Sequence, residues 1–293
     1  MPEGHSIHRL ARRHRRLLAG RRVAASSPQG RFAEGAAIID GARLVGTDAW
    51  GKHLFHTYAD RPDAEPVLLH VHLGLYGKFR EGTGEPEPPR GALRLRLTTI
   101  DDDADEEEGQ DEARWLDLRG PTACELMTPP ERALLLARLG PDPLRPRTDP
   151  GAWLPRITRS RAPIATLLMD QSVVSGIGNI YRAELLFRHG LDPFLPGREV
   201  DPDVLAEAWP DLVQLMRVGV RGGRIVTTER EHRERPAGRV RRVDSFYVYG
   251  RAGLPCRVCG TEVVDDVLAA RRLFWCPSCQ PPGGGRRPGL TPA

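Results

Sequence analysis

The chain has 293 residues and a formal net charge of +4 at pH 7, with 40% hydrophobic and 28% charged residues. This length allows two or three small domains, each with its own core. No run approaches the roughly 18 consecutive apolar residues of a membrane helix, and the N-terminus lacks the apolar core of a signal peptide, so the sequence predicts a cytoplasmic protein without a membrane partner.

The charge is unevenly distributed. Residues 101–112 hold nine acids and no base, so the rest of the chain is strongly basic. A basic excess fits a polyanionic partner such as DNA, although solvated arginines in an arginine-rich proteome explain it equally well. Of the 43 cationic residues only Lys52 and Lys78 are lysines. Because lysine can titrate and arginine cannot, a retained lysine is a candidate for chemistry, whereas chance is the simpler explanation for Lys78.

The N-terminal half predicts one helix followed by strands. Apolar residues recur at helical spacing over residues 5–19, and Gly20 ends the pattern. Short apolar runs punctuated by Gly and Pro then extend from residue 21 to about 126, which favours a β-sandwich or barrel. The acidic run 101–112 lies between two strand signals and is expected to be a disordered hairpin insertion.

The C-terminal half predicts helices and then a small cysteine-rich module. A linker rich in Pro and charge over 141–153 precedes helical signals from about 153 to 223. The cysteine-rich module covers 246–280, and the Gly/Pro/Arg tail 281–293 cannot form a core.

The cysteine spacing is the most specific motif. Two CxxC pairs, separated by sixteen residues, contain Cys256, Cys259, Cys276 and Cys279. This spacing is typical of a zinc ribbon, in which four thiolates close a tetrahedral site and leave no position for a reactive water. We therefore expect one structural Zn²⁺ rather than a catalytic one. Two disulfides are the alternative, which a reducing cytoplasm disfavours.

The segment between the two cysteine pairs predicts a β-hairpin. Its tip carries Arg271 and Arg272, which a rigid ribbon can bring into a DNA groove. A solvated arginine pair explains the same two residues when they are considered alone.

A second motif, GIGN at 176–179, lies within residues 171–190. It predicts a helix, a turn at Gly176 and Gly178, and a second helix that begins near Asn179. The N-terminus of such a helix is expected to offer unpaired backbone N–H groups, and Asn179 a side-chain donor, to a phosphate. Ordinary packing of a helix and a loop is the alternative.

The third motif is the N-terminus, MPEGH at 1–5. Removal of Met1 would leave Pro2 with a secondary amine. An α-amino group has a pKa near 8, against about 10.4 for lysine, so far more of it is neutral at cytoplasmic pH. A neutral amine beside the Glu3 carboxylate is a plausible nucleophile with its own acid/base partner. Alone this motif is weak, since many chains begin in this way.

Together the three motifs, with WGKHL at 50–54, resemble the formamidopyrimidine-DNA glycosylase/endonuclease VIII family, and within it bacterial endonuclease VIII of actinobacterial type. The resemblance covers nearly the whole chain. It implies a bifunctional DNA glycosylase/AP lyase of base excision repair. Pro2 would attack C1′ of the damaged nucleotide, Glu3 would transfer protons, and β,δ-elimination would nick the strand. Lys52 corresponds to the family's active-site lysine, which contacts the phosphate next to the lesion.

The resemblance also implies the DNA contacts. Asn179 and Arg271 would bind the phosphates beside the flipped nucleotide, whose extrusion costs a few kcal/mol. Leu75 and Tyr76 match the wedge that fills the gap in the stack, although a buried pair at a strand end is the alternative. The partner is damaged DNA, expected as duplex with bubble or single-stranded substrates left open, and the protein is expected to be a nucleoid-associated monomer.

Three departures from the family pattern concern specificity. The sequence LRGP at 118–121 replaces the Arg-Arg-Phe segment with which the purine-lesion branch reads the opposite cytosine, which favours oxidised pyrimidines over 8-oxoguanine. A family acid is replaced near Ser6, so His5 is a candidate for assisting the leaving base. Gly74 stands where endonuclease VIII often has a polar wedge residue.

The predicted fold class is thus α+β and multidomain, with an N-terminal β-sandwich domain that carries the catalytic helix at 1–140. A helix-two-turn-helix domain at 141–235 and a four-cysteine zinc ribbon at 236–280 follow. A formamidopyrimidine-type glycosylase is the rival enzyme, and a non-catalytic lesion- or abasic-site-binding zinc protein is the rival from another class.

Overall fold

The computed structural model describes residues 2–59, 65–100 and 112–284. The predicted acidic insertion, apart from Glu112, and the tail beyond residue 284 lie outside them. Contacts divide the chain into two compact units. The first comprises residues 1–2 and 7–137, and the second residues 3–6 and 138–293. The predicted boundaries at residues 140, 235 and 280 stay predictions.

The predicted helix is α1 (Gly4–Leu18), which belongs to the first unit from Ile7 onward. Ile7, Ala11 and Leu18 are buried on one face, while Arg12, Arg15 and Arg16 are exposed. This division follows the helical spacing of the apolar residues. The strand-rich pattern did not predict two further helices, α2 (Ala33–Ile39) and α3 (Pro129–Ala137).

Eight antiparallel strands form the rest of this unit, in the order β5-β7-β6-β1-β2-β3-β4-β8. They are β1 (Arg22–Ser26), β2 (Arg43–Trp50), β3 (His53–Ala59), β4 (Val67–His72), β5 (Lys78–Thr83), β6 (Leu93–Ile100), β7 (Arg114–Arg119) and β8 (Ala123–Met127). Strands β1 and β2 share one registered pair, Arg22 with Arg43, so two four-stranded halves meet there.

One apolar core joins both halves. Leu95 and Leu118 from the half that contains β6 and β7 cluster with Leu54 and Val71 from the half that contains β3 and β4. Period-2 alternation in β6, whose residues are alternately buried and half-buried, supplies one inner face of this core. The predicted β-sandwich is therefore confirmed as part of the α+β fold.

The second unit is helical and then forms a ribbon. Its helices are α4 (Leu154–Thr158), α5 (Ile164–Leu167), α6 (Asn179–Arg188) and α7 (Pro202–Gly222), with 3-10 turns at Gly197–Glu199, Arg230–His232 and Arg242–Asp244. The predicted hairpin follows as β9 (Val264–Leu268) and β10 (Arg271–Trp275). Among the described residues, no helix is long and apolar enough to cross a membrane.

The core of the second unit surrounds α6 and α7. Leu185 and Leu186 of α6 cluster with Leu212 and Met216 of α7, and Leu273 of β10 belongs to the same cluster. The helices and the hairpin are thus packed on one core. This arrangement fixes the N-terminus of α6 beside the start of β10.

Candidate active site and DNA-binding elements

The Glu3 carboxylate occupies the N-terminus of α6. Glu3 is fully buried. The backbone N–H of Gly178 donates to its Oε2 and that of Ile180 to its Oε1, both at 2.8 Å, and the N–H of Tyr181 lies 3.4 Å from Oε2. A carboxylate at a helix N-terminus interacts favourably with the helix dipole and satisfies N–H groups that have no partner within the helix. Glu3 is therefore held in a fixed position.

This arrangement corrects one prediction. The N–H groups at the start of α6 were expected to bind phosphate, but those of Gly178, Ile180 and Tyr181 donate to Glu3. Their partner is thus a residue of the same chain.

Close approach explains the glycines of the GIGN motif. A Cβ on Gly178 would lie 2.5 Å from Cδ of Glu3. Gly176 has φ +91° and accepts the N–H of Gly4 at 2.8 Å. A side chain at either position would disturb the segment that carries Glu3.

The next two residues of the N-terminal motif are equally confined. A Cβ on Gly4 would lie 2.8 Å from Met216 Cε. The His5 ring packs edge-on against Tyr181 at 5.5 Å, and a Cβ on Gly219 would lie 2.9 Å from that ring. Burial, and then the Glu3 charge, raise the pKa of Tyr181, which keeps its hydroxyl protonated. The MPEGH motif therefore contains residues that pack closely against α6 and α7, in addition to its reactive groups.

Asn179 connects α6 to the hairpin. Its Nδ2 donates to the carbonyl of Arg272 at 2.7 Å, and Arg182 donates both to that carbonyl, at 3.0 Å, and to Asn179 Oδ1. The structure therefore brings Asn179 beside the start of β10, which carries the exposed Arg271.

Arg182 is a site residue that the sequence did not reveal. It is fully buried, and this burial, followed by the charge of Arg271, lowers its pKa to about 10, while Glu3 acts in the opposite direction. A buried guanidinium between Glu3 and Arg271 places a positive charge next to the proposed phosphate contacts. Its signal was its position on α6 three residues after Asn179, which places the two side chains on one face of the helix.

Glu184, also on α6, anchors the chain that leads into the ribbon. Its carboxylate is fully buried and accepts the backbone N–H groups of Tyr247, Val248 and Tyr249 at 2.8–2.9 Å, as well as the hydroxyl of Thr227. Removing one of the four donors would leave a buried carboxylate less well hydrogen-bonded, which is strongly destabilising. Glu184 therefore fixes the stretch of backbone that leads into the ribbon.

The four predicted metal ligands lie together. The ligand atoms of Cys256, Cys259, Cys276 and Cys279 are all within 4.8 Å of one another. Sulfur separations of 3.3–3.5 Å between them are too long for disulfides, whose S–S bond is about 2.05 Å. All four are free thiols.

The cysteine cluster fits a tetrahedral metal. Zinc–sulfur bonds of about 2.3 Å require sulfurs about 3.8 Å apart, close to the separations present here. A hydrogen bond from the neighbouring thiol lowers the pKa of Cys256 to about 4, while the pKa of Cys279 is raised by the same interaction. The two thiols are therefore joined by a hydrogen bond, and a divalent cation would displace its proton on binding.

Lys52 lies in the first unit, in the two-residue turn between β2 and β3. Next to it, His53 is registered opposite His72 at the end of β4. Burial, followed by the charges of His70 and Lys52, lowers the pKa of His72. The end of this sheet half therefore combines Lys52 with three histidines.

The predicted wedge residues are exposed. Leu75 is 49% and Tyr76 86% accessible, in the turn between β4 and β5, so neither is a buried strand-end residue. Gly74 has φ +65°, and any Cβ there would collide with Thr122 Oγ1. A side chain at Gly74 would therefore be strained and would require the Thr122 side chain to move.

Three domain families match this chain. The formamidopyrimidine-DNA glycosylase N-terminal domain matches residues 1–124, and its H2TH domain residues 139–230. The zinc finger found in FPG and IleRS matches residues 253–282. Together they cover both compact units.

Curated relatives extend over the full chain. "Endonuclease 8 1" of Mycobacterium tuberculosis is 47% identical over 284 residues, which are 96% of this chain and 100% of the relative. "Formamidopyrimidine-DNA glycosylase" of Thermus thermophilus is 32% identical over 288 residues, with 97% and 100% covered.

Solved structures share the fold. The crystal structure of MutM (Fpg) from Thermus thermophilus aligns with a TM-score of 0.73 and 28% identity, covering 97% of this chain and 100% of that one. Lactococcus lactis Fpg in complex with abasic-site DNA aligns with a TM-score of 0.75 at 18% identity, covering 95% and 99%.

The fold and the matched domains define a DNA glycosylase of base excision repair. The chain belongs to the formamidopyrimidine-DNA glycosylase/endonuclease 8 family. This membership confirms the resemblance of the sequence motifs.

Proposed function

We propose that this protein is a bifunctional DNA glycosylase/AP lyase that removes oxidised pyrimidines and nicks the strand by β,δ-elimination. It acts as a monomer on damaged duplex DNA. The observation that carries the proposal is the buried Glu3 carboxylate, held by the backbone of Gly178 and Ile180 directly after Pro2 in the chain. Such a fixed carboxylate beside a terminal amine is the arrangement that amine catalysis requires.

The chemistry begins when the Pro2 nitrogen, freed by loss of Met1, attacks C1′ of the damaged nucleotide. The glycosidic bond breaks, the base leaves with the bonding electrons, and the amine proton passes to Glu3. Glu3 returns a proton to the sugar oxygen as the ring opens to a Schiff base between Pro2 and C1′. Loss of a proton from C2′ then expels the 3′ phosphate, and a second elimination expels the 5′ phosphate.

The phosphate contacts are assigned to Lys52, Asn179 and Arg271. The amide of Asn179 has two N–H donors, so its hydrogen bond to Arg272 leaves capacity for a phosphate oxygen. Arg271 is exposed at the start of β10. Exposed cations near the lesion contribute affinity that falls with salt, because binding releases counterions.

The wedge is assigned to Leu75 and Tyr76. The support is that two consecutive apolar side chains, 49% and 86% exposed, share one loop tip, where both could be buried together in a complex. A base stack that has lost one member offers such a site.

A structural zinc ion is assigned to Cys256, Cys259, Cys276 and Cys279. The support is the closeness of the four thiols and the match to a zinc-finger family. Bound zinc would fix the base of the hairpin that carries Arg271 and would supply no reaction chemistry, because four protein ligands complete its coordination.

The substrate preference is tested with matched duplexes that carry dihydrouracil, thymine glycol, 8-oxoguanine opposite cytosine, or an abasic site. We expect borohydride trapping on the two pyrimidine lesions to be at least about tenfold faster than on 8-oxoguanine, a difference of about 1.4 kcal/mol in transition-state stabilisation. Trapping on 8-oxoguanine alone would establish instead the formamidopyrimidine-type activity that the Thermus thermophilus relative is named for.

A further inference from the structure

A cavity in the second unit is lined by the loop at residues 143–148 and by helix α7. Its volume is about 570 Å³, within the range of small-molecule sites, about 300–1,000 Å³. Four arginines line it, Arg145 and Arg147 from the loop and Arg217 and Arg221 from α7. In the part of the chain that the structure describes, no acid is among the lining residues. We call this cavity the arginine pocket.

The arginine pocket lies on the side of α7 that faces away from the N-terminal motif. Gly4 approaches α7 so closely that a Cβ on it would lie 2.8 Å from Met216 Cε. Gln214, Arg217 and Arg221 line the pocket. Because an α-helix has 3.6 residues per turn, these three side chains point away from the face that carries Met216. The pocket is therefore separate from the packing that holds the N-terminal motif.

Hydrogen bonds fix the loop that contributes the other two arginines. The Thr148 hydroxyl donates to the carbonyls of Asp142, at 2.9 Å, and of Arg145, at 3.2 Å. The N–H of Leu144 donates to Asp142 Oδ1 at 2.8 Å. Arg147 lies within this fixed loop and has φ +66°, a left-handed conformation that is unfavourable for a residue with a side chain. Such strain occurs preferentially where a side chain is held for binding.

The positive charge of the pocket is not balanced by the acids of α7 that are nearest to it in the sequence. Neither Glu207 nor Asp211 lines the cavity. Asp211 pairs instead with Arg188 at 2.7 Å, and both of these side chains are buried. Guanidinium groups that share one cavity repel one another, so an anion bound among them would be stabilised by all four.

The donors of the pocket define the class of ligand. Guanidinium groups bind phosphate oxygens through paired, planar N–H donors. A single phosphate carries at most about two negative charges, too few to balance four arginines, whereas a chain of linked phosphates carries more. The amide of Gln214 adds a polar group, and Trp209, Pro210 and Val213 add apolar surface. This combination fits a chain of phosphates that is attached to a base.

We propose that the arginine pocket binds a small anion with two or more linked phosphates, of the nucleoside triphosphate class. The phosphates connect the loop at residues 143–148 to α7 through Arg147 and Arg217, and no covalent bond is made or broken. The site goes beyond the proposed glycosylase activity, because none of its lining residues is a proposed catalytic residue or DNA contact.

The test measures binding of ATP and of inorganic tripolyphosphate to the full-length protein by titration calorimetry, without added divalent cations. We expect one site per chain for each ligand, and at least about tenfold weaker binding of orthophosphate, which offers fewer oxygens to the arginines. Added salt should weaken binding because exposed charges are screened. Tighter binding of ATP than of tripolyphosphate would identify a nucleotide site, and equal binding would identify the phosphate chain as the recognised group. Both results support the proposal.

The main variant combines Arg147→Gln with Arg217→Gln. Both side chains are exposed, so the variant should fold like the wild type. Arg145 and Arg221 are left in place, because each has a further interaction within the chain. We expect the double variant to bind tripolyphosphate at least about tenfold more weakly, since two charge-assisted contacts are lost.

The matched control combines Arg235→Gln with Arg239→Gln. It removes the same charge from two exposed arginines that do not line the pocket, and it should bind tripolyphosphate like the wild type. Equal affinity of the main variant and the wild type would overturn the proposal. Equal weakening in both double variants would also overturn it, because it would reveal a general effect of charge.

Two further results would contradict the proposal. Equally tight binding of orthophosphate would mean an adventitious ion only, and displacement of tripolyphosphate by one equivalent of abasic-site duplex would assign the pocket to DNA. Borohydride trapping of abasic-site DNA is measured in parallel, and the main variant should trap at the wild-type rate. Failure of the wild type to trap would reject the proposed amine catalysis and leave the binding result intact.

Discussion

At the scale of single residues, Gly178 shows how a small side chain preserves a reactive group. A Cβ at this position would lie 2.5 Å from Cδ of Glu3, too close for either group to stay in place. We therefore expect Gly178→Ala to reduce single-turnover trapping of abasic-site DNA by about a hundredfold, equivalent to about 2.7 kcal/mol.

Gly222→Ala provides the matched control for this change. Nothing lies within 4 Å of a Cβ at Gly222, in the last turn of α7, so its trapping rate should equal that of the wild type. Equal rates for the two variants would show that the position of Glu3 is unimportant for the reaction.

His56 makes a second prediction at this scale, for stability. His56 Nε2 lies 2.9 Å from His14 Nδ1, and its Nδ1 lies 3.1 Å from the Tyr58 hydroxyl, all within the buried interior. Burial lowers the pKa of His56 from 6.5 to about 4. His56 is therefore protonated below about pH 6.5 in the unfolded chain, whereas in the folded protein it stays neutral down to about pH 4.

Because of this difference, the free energy of unfolding decreases as the pH decreases. The neutral His56 contributes in full above pH 6.5, and its contribution declines as pH falls towards 4. Between pH 7 and 5 the wild type should lose about 2 kcal/mol more unfolding free energy than His56→Gln. Denaturant unfolding at the two pH values measures this. His232→Gln is the control, and a loss of the same size in all three proteins would refute the assignment.

At the scale of elements, the β9–β10 hairpin contains a strained turn. Ala269 and Ala270 have φ of +49° and +58°, in the left-handed region that costs an L-residue roughly 1 kcal/mol. Arg271 follows directly. The turn therefore places the proposed phosphate contact at the expense of local stability.

Replacing both alanines by glycine should relieve this strain. We expect slower hydrogen exchange of the Arg271 and Leu273 amides, which face β9, in the double variant, by about threefold to tenfold. Gly222→Ala again serves as a control outside the hairpin. Faster exchange in the double-glycine variant would mean that the left-handed alanines are not strained.

Helix α3 shows what the sequence could have predicted but did not. Thr128 and Glu131 form a capping box, in which the N–H of Thr128 donates to Glu131 at 2.7 Å and the N–H of Glu131 approaches Thr128 Oγ1 at 3.4 Å. This Thr-x-x-Glu signal is visible in the sequence. Helix α2 had no comparable signal, because it is seven residues long and contains Gly35.

Strands, by contrast, followed from periodicity. The short apolar runs between residue 21 and about 126 predicted strands, and β6 at Leu93–Ile100 is one of them. The order of the strands in the sheet could not be predicted from periodicity. Strand β1 lies between β6 and β2, and the pairing of such distant segments depends on the core that they share.

At the scale of the whole molecule, long-range contacts decide what each motif does. The GIGN turn was expected to hold phosphate, whereas it holds Glu3, a residue 175 positions earlier in the chain. Local patterns identify a helix N-terminus, but they cannot say which acceptor reaches it. The cysteine cluster was predictable because the ligand spacing within each pair is itself local.

Arg182 and the contact between His70 and Glu125 were not predicted, because both also depend on long-range contacts. Arg182 follows an ordinary helical pattern, and its role depends on the carbonyl of Arg272, 90 residues later. His70 and Glu125 are 55 residues apart and meet only because β4 and β8 pair. The position of Lys52 in a turn depends likewise on the pairing of β2 with β3.

Amine catalysis by the N-terminus is the central claim, and the location of the covalent adduct tests it most directly. After borohydride reduction on abasic-site DNA, the protein is digested and the peptide that carries the sugar remnant is identified by mass spectrometry. We predict the adduct on an N-terminal peptide that begins at Pro2 and no trapping in Pro2→Ala. An adduct on Lys52, or a retained Met1 in protein that still traps DNA, would contradict the account.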